Sequence, residues 1–137
     1  MSVDNNKVNN ISVEDAKEAL DSFIHDVNDW VKKNELTELP EYNKLTDKVV
    51  LGTHYRLDQI YFEKITKFKS RFFSLQAFFT NLEYTANREH KRILDSALSQ
   101  VGQKIREMDT LLEAGKQRLQ FYKTVVYMVG NAIYGVE

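Results

Sequence analysis

The chain has 137 residues, 42% of them hydrophobic and 28% charged, so it can bury one core but is too short for two ordinary domains. It contains no cysteine, which excludes disulfides, thiolate metal sites and cysteine nucleophiles. Residues 1–63 hold seven Lys/Arg and thirteen Asp/Glu, a net −6, whereas residues 64–137 hold twelve and seven, a net +5. We expect the two halves to attract one another, within or between chains, in preference to the basic half facing a polyanion.

The first eleven residues are rich in asparagine and lack the apolar run of a secretory signal peptide. We therefore expect a disordered N-terminal lead over residues 1–11 and a cytoplasmic protein. Residues 12–137 are expected to form a single helical domain, with helices at about 12–33, 40–86 and 91–134.

A first amphipathic helix is predicted from Ser12, because Ser12 and Asp15 have the spacing of a capping box. The helix is expected to end near Asn34, since Lys32 and Lys33 suit a helix C-terminus. Its apolar positions recur at threes and fours: Val13, Ala16, Leu20, Phe23, Ile24, Val27 and Val31.

A second helix is predicted to start at Pro40, and a kink near Gly52 is left open, since a single helical glycine costs only about 1 kcal/mol. Its later part has the alternating spacing of four and three that marks the core line, or seam, of a heptad repeat. The first seam is Tyr61, Ile65, Phe68, Phe72, Leu75, Phe79, Leu82 and Ala86.

A second seam has the same alternation and is interrupted only by Gly115, which either lets a neighbouring backbone approach closely or weakens the helix. Its members are Leu94, Leu98, Val101, Ile105, Met108, Leu112, Gly115, Leu119, Tyr122, Val126, Val129 and Ile133.

The two seams are one residue out of phase, so the helix either turns between Thr85 and Arg92 or continues with a skip residue. We favour an antiparallel hairpin with a tight turn at Asn87, which accepts a left-handed backbone at a helix end. Additional apolar residues beside both seams indicate that each helix packs against more than one neighbour, which predicts an all-α bundle of partner helices or a homo-oligomer.

Few residues suggest catalysis. His25 shares a helical face with Asp21 and Asp29 and could in principle bind a metal, but a solvated acidic face is the better interpretation. No phosphate-binding glycine loop or nucleophile motif is present in the sequence. We expect a non-enzyme with no catalytic residues, metal or cofactor.

The most specific functional pattern is a basic, aromatic segment with no acidic residue from Lys64 until Glu83. A protein that binds single-stranded nucleic acid needs cations to contact the phosphates and aromatic rings to stack on the bases. The preferred interpretation is still that these cations flank a coiled coil and pair with the acidic first helix. The residues concerned are Lys64, Lys67, Lys69, Arg71 and Phe73, extended by Arg88, Lys91 and Arg92.

The last part of the chain is apolar, with Lys123 as its one charge between Phe121 and Val136. It is too short to cross a bilayer, peripheral membrane contact is not favoured, and burial in the bundle is the ordinary explanation. The possible docking residues in this tail are Val125, Met128, Val129, Ile133 and Tyr134.

These patterns together predict an oligomeric helical adaptor or assembly protein. The competing function is single-stranded nucleic-acid binding.

Overall fold

The computed structural model describes residues 12–133, and the side chains of residues 12–128. This range contains four α-helices and no β-strand: α1 Val13–Lys33, α2 Tyr42–Leu45, α3 Lys48–Glu83 and α4 Arg88–Ile133. The long helices α3 and α4 pack against each other, which confirms the predicted all-α hairpin bundle. The lead predicted over residues 1–11 lies outside the described residues.

Helix α1 begins where its capping residues predict. The Asp15 backbone N–H donates a hydrogen bond of 2.9 Å to Ser12 Oγ, so the serine side chain satisfies an N–H group that has no helical partner. Val13, Ala16, Leu20 and Val27 are buried on one face of this helix.

The helix predicted from residue 40 to 86 is divided, and the division lies at Thr46 and Asp47, not at Gly52. Asp47 Oδ1 accepts hydrogen bonds from the backbone N–H groups of Val49 at 2.8 Å and Val50 at 3.3 Å. Because this side chain caps a new helix start, α2 ends before it and α3 begins after it. Helix α3 continues through Gly52 without a break.

The turn between α3 and α4 lies where the two seams lose phase. Asn87 Oδ1 accepts a hydrogen bond of 2.8 Å from the His90 N–H, so this asparagine caps the start of α4. The end of α3 tightens through backbone bonds of the i to i−3 type, from Tyr84 N to Asn81 O and from Ala86 N to Glu83 O, each 3.3 Å long. The predicted hairpin is confirmed, although Asn87 acts through its side chain as the first cap of the second helix.

The chain divides into two compact units, and each long helix contributes to both. In the described range, unit 1 comprises residues 12–33 and 70–106, and unit 2 comprises residues 34–69 and 107–133. Whether the two units form the predicted single domain stays a prediction.

In unit 1, α1 covers the pair formed by the end of α3 and the start of α4. The Phe23 and Phe72 ring centroids are 5.0 Å apart, and Lys104 Nζ donates a hydrogen bond to Asn28 Oδ1. Three helices thus share one core, whose buried members include Leu20, Val27, Phe72, Phe79, Leu94, Ala97, Val101 and Ile105.

In unit 2, the described residues that cover the α3 and α4 pair are the four-residue α2 and the segment that joins it to α1. Leu45 of α2 packs with Leu51, Tyr122 and Val125 in one buried cluster. Gly115 is buried, and a Cβ there would lie 3.2 Å from Phe62 Cδ2, so the glycine makes room for this aromatic ring.

Most predicted seam residues are buried or half-buried, including Phe68, Phe72, Leu75, Phe79, Leu98, Val101, Ile105, Leu112 and Leu119. Val126 departs from the pattern, because its side chain is 54% exposed and Val125 is 1% exposed. The core position therefore falls one residue earlier than the heptad spacing predicts. Val125 packs there with Leu45 of α2, so the side of α4 that faces α2 is the buried one.

Candidate functional site

A buried polar cluster lies in unit 2 between α3 and α4. Asp58 is 4% exposed and accepts two hydrogen bonds on Oδ2, from Arg118 Nε at 2.6 Å and from the Tyr122 hydroxyl at 2.8 Å. Arg118 Nη2 also donates to Tyr122 Oη at 3.3 Å. Arg118 Nη1 donates to the Thr37 carbonyl oxygen, which ties the segment before α2 to the helix pair. The cluster therefore fixes three chain segments at one point.

The ionisation of this cluster follows from its burial. Burial and the hydrogen bond to Asp58 raise the pKa of Tyr122 to about 12, although the nearby Arg118 acts in the opposite direction. Burial lowers the pKa of Arg118, but the hydrogen bonds to Asp58 and Tyr122 outweigh it and the net shift is upward. At neutral pH the tyrosine is consequently a hydrogen-bond donor and the arginine a cation, which is the arrangement that holds a buried carboxylate.

Sequence reasoning missed the Asp58 cluster, although a signal was present. The first seam extends backward from Tyr61 by alternating steps of three and four through Asp58, His54 and Leu51. Two polar residues therefore occupy core positions of the heptad. A polar residue at such a position commonly sets helix register, and it requires a partner on the facing helix.

Three of the predicted nucleic-acid-binding cations are engaged within their own unit. Lys64 Nζ lies 5.1 Å from the Phe68 ring centroid, and the Arg71 guanidinium carbon lies 5.0 Å from the ring centroid of Phe23. Lys69 Nζ forms an ion pair with Asp109. The Lys69 charge is therefore paired with a carboxylate, whereas Lys64 and Arg71 keep their charges and pack against aromatic rings.

The expected attraction between the acidic and basic halves is visible only in part. The Lys69 pair joins α3 to α4 and does not involve the acidic α1. His90 Nε2 of α4 lies 3.5 Å from Glu14 Oε2 of α1. Asp21, another acidic residue of α1, forms an ion pair of 2.7 Å with Lys17 of the same helix. The buried Asp58–Arg118 pair also joins the acidic half to the basic half, in unit 2, so the described contacts between the two halves lie in both units.

The remaining predicted nucleic-acid residues lie at the surface. Phe73 is 48% exposed, and the side chains of Lys67, Arg88, Lys91 and Arg92 are exposed.

Lys91 lines a cavity of about 370 Å³ beside the hairpin turn, together with Thr80, Glu83, Tyr84 and Asp95. A hydrogen bond with Asp95 raises the pKa of Glu83 above its ordinary value, and burial adds to the effect. Its charged groups are two carboxyl groups and one ammonium group, and the ammonium group repels cations, so this lining does not suit a metal ion.

Exposed large apolar side chains are concentrated in unit 2. Unit 1 exposes Phe73 and Tyr84. The larger set in unit 2 is Leu39, Tyr42, Val49, Leu57, Ile60, Val126, Tyr127 and Met128. Within the part of this unit that the structure describes, no long helix covers the helix pair as α1 does in unit 1.

The predicted docking tail is only partly described. Val125 is buried, whereas Met128 is 49% exposed. The side chains of Val129, Ile133 and Tyr134 lie outside the described residues. The part of the tail that the structure describes thus turns one apolar residue inward and leaves Val126, Tyr127 and Met128 at the surface.

Over the described residues, no group of three or more His, Asp or Glu side chains is arranged to hold a metal ion. Asp29, one of the proposed partners of His25, pairs with Lys33 at 3.0 Å. No helix in the same range is both long and apolar enough to span a bilayer.

Comparison with known proteins gives no relative: no protein-family model, no curated protein and no solved structure matches this chain.

Proposed function

We propose that this chain is a non-enzymatic assembly protein, which forms homo-oligomers by packing its helices against those of other copies. The observation that carries the proposal is the concentration of exposed apolar side chains in unit 2, where, over residues 12–133, the four-residue α2 and its connection are what covers the long helix pair. Leu57 and Ile60 lie one turn apart on α3, and Val126, Tyr127 and Met128 follow one another on α4; exposed apolar side chains that lie close together commonly mark an interaction site.

The packing of unit 1 supports the same proposal by comparison. There, the 21-residue α1 lies on the helix pair and brings its apolar face into the core. A helix from another chain could cover unit 2 in the same chemical manner, since burying apolar side chains contributes roughly 25 cal/mol per Å² removed from water.

The proposal is tested by measuring mass in solution by light scattering over a range of protein concentrations. One chain has a mass of 16.0 kDa, and we expect a larger mass that falls on dilution. A mass of one chain at every concentration would overturn the proposal.

The exposed end of α4 provides a second arm of this test. Tyr127 is 70% exposed, so Tyr127→Lys changes the surface and leaves the buried cluster intact. Ser99→Lys is the control, since Ser99 is an exposed polar residue on the same helix in unit 1, away from this patch. If the tail docks into another copy, Tyr127→Lys should reduce the mass at a given concentration and Ser99→Lys should not.

Single-stranded nucleic-acid binding is the second candidate, and the exposed Lys67 with the half-exposed Phe73 is the observation that favours it. It has less support because Lys64, Lys69 and Arg71 already have partners. A filter-binding assay with a single-stranded oligonucleotide decides it. Binding that falls steeply with salt and is weakened by Lys67→Glu would favour this function, and no retention at low salt would dismiss it.

A further inference from the structure

The outward face of α3 in unit 2 carries its own heptad spacing. Its exposed positions alternate by four and three and lie on the side of the helix opposite to Asp58, Tyr61 and Ile65. Ile60 is 50% exposed, Leu57 59% and Val49 76%. The full set of positions on this outward face is Val49, Thr53, Arg56, Ile60, Glu63 and Lys67.

This face has opposite charges on either side of a central apolar residue. Arg56 lies four residues before Ile60 and Glu63 three residues after it, and both side chains are exposed. Because they are seven residues apart, they project on the same flank of the helix. Leu57 comes directly after Arg56 and Lys64 directly after Glu63, and both project on the other flank of the helix. Ile60 therefore lies between the two flanks.

This arrangement of charges around Ile60 is self-complementary when two copies of the helix pack antiparallel. A two-fold axis perpendicular to the helices reverses chain direction and keeps each flank against the same flank of the other copy. With the axis close to Ile60, Arg56 of each copy meets Glu63 of the other. On the opposite flank, Leu57 meets the aliphatic part of Lys64, a side chain that covers apolar surface with its methylene groups.

We infer that the α3 face around Ile60 is an interface between two copies of this chain, which pack antiparallel with Ile60 at the two-fold axis and reciprocal Arg56 to Glu63 ion pairs. The inference rests on the proposed assembly function and identifies its partner as a second copy. A single contact surface then supplies both halves of the interaction, as the two-fold arrangement common among oligomers requires.

The two charges allow a test that is specific to this arrangement. Arg56→Glu places a second carboxylate against Glu63 of the other copy, and Glu63→Arg places two arginines together, so each variant alone should dimerise at least about tenfold more weakly. An equimolar mixture of the two variants pairs opposite charges at every contact and should dimerise again. The double variant Arg56→Glu with Glu63→Arg should also recover dimerisation.

Sedimentation velocity on the full chain, with circular dichroism to verify folding, measures these outcomes. Ile60→Glu should abolish the dimer, whereas Thr66→Glu, at an exposed position off this face, should leave it intact. A wild-type monomer would remove both this inference and the proposed assembly. An oligomer that is insensitive to Ile60→Glu would overturn only the inference. Failure of the mixed variants to dimerise, with both single variants weakened and folded, would also overturn the antiparallel pairing.

Discussion

Replacing Asp58 with leucine should reveal how much the buried polar cluster contributes to the stability of unit 2. The substitution removes a carboxylate that accepts hydrogen bonds from Arg118 and Tyr122 at 2.6 and 2.8 Å. It leaves the guanidinium, whose side chain is 13% exposed, with the Thr37 carbonyl and the tyrosine hydroxyl as its remaining contacts. Removing one member of a buried ion pair costs about 3–5 kcal/mol, and we expect a loss of this size in the free energy of unfolding.

A double variant tests whether the loss of stability comes from an unpaired charge or from a change in side-chain volume. In Asp58→Leu with Arg118→Met, no buried charge is left without its partner, and apolar side chains of similar size occupy the site. Exchanging a buried ion pair for apolar residues is often close to neutral, so the double variant should be more stable than Asp58→Leu alone.

Urea unfolding followed by circular dichroism at 222 nm measures both effects, at a protein concentration low enough to keep association constant among variants. A loss below about 1 kcal/mol for Asp58→Leu would refute the reasoning, since that is the typical worth of an exposed ion pair. A double variant less stable than the single one would likewise show that the charge left at Arg118 is not the source of the loss.

Two glycines should respond in opposite ways, and one tyrosine should make stability depend on pH. A Cβ at position 52 has no neighbouring atom within 4 Å, so Gly52→Ala should stabilise the chain by about 0.5–1 kcal/mol. The side chain of Gly115→Val would meet the Phe62 ring, and this variant should be less stable by about 1–3 kcal/mol. Urea unfolding measures both changes. The pKa of Tyr122 rises from 10.0 to about 12 on folding, so its contribution is complete below pH 10 and is lost as the pH rises toward 12. Tyr122→Phe should therefore lose less stability than the wild type between pH 10 and 12, and Tyr84→Phe, at a residue 83% exposed, should behave like the wild type in the same urea titrations.

Local signals in the sequence were sufficient for the helices and the hairpin. Ser12 and the periodic apolar residues after it defined α1, and the phase change between the seams located the turn before Arg88. These features depend on residues within a few positions of one another, because capping bonds and helical periodicity act over one or two turns. The side-chain cap at Asp47 is equally local, but the continuous apolar spacing on either side concealed it.

Before Tyr61, the sequence did not identify which of two equally spaced faces of α3 is buried. The line through Leu51, Asp58 and Ile65 is buried, whereas the line through Val49, Ile60 and Lys67 is exposed, although both follow steps of three and four. Periodicity identifies positions that share a side of a helix and does not identify the side that a distant segment covers.

The sequence by itself therefore determined the first and last helices, the hairpin turn and most core residues from Tyr61 onward, since these follow from interactions along one stretch of chain. Only the tertiary structure decided which residues meet across the hairpin. Asp58 and Arg118 are sixty residues apart, and Val125 replaces Val126 in the core, where it packs with Leu45 of α2. Such pairings depend on how separate elements pack, and a one-dimensional pattern does not contain that information.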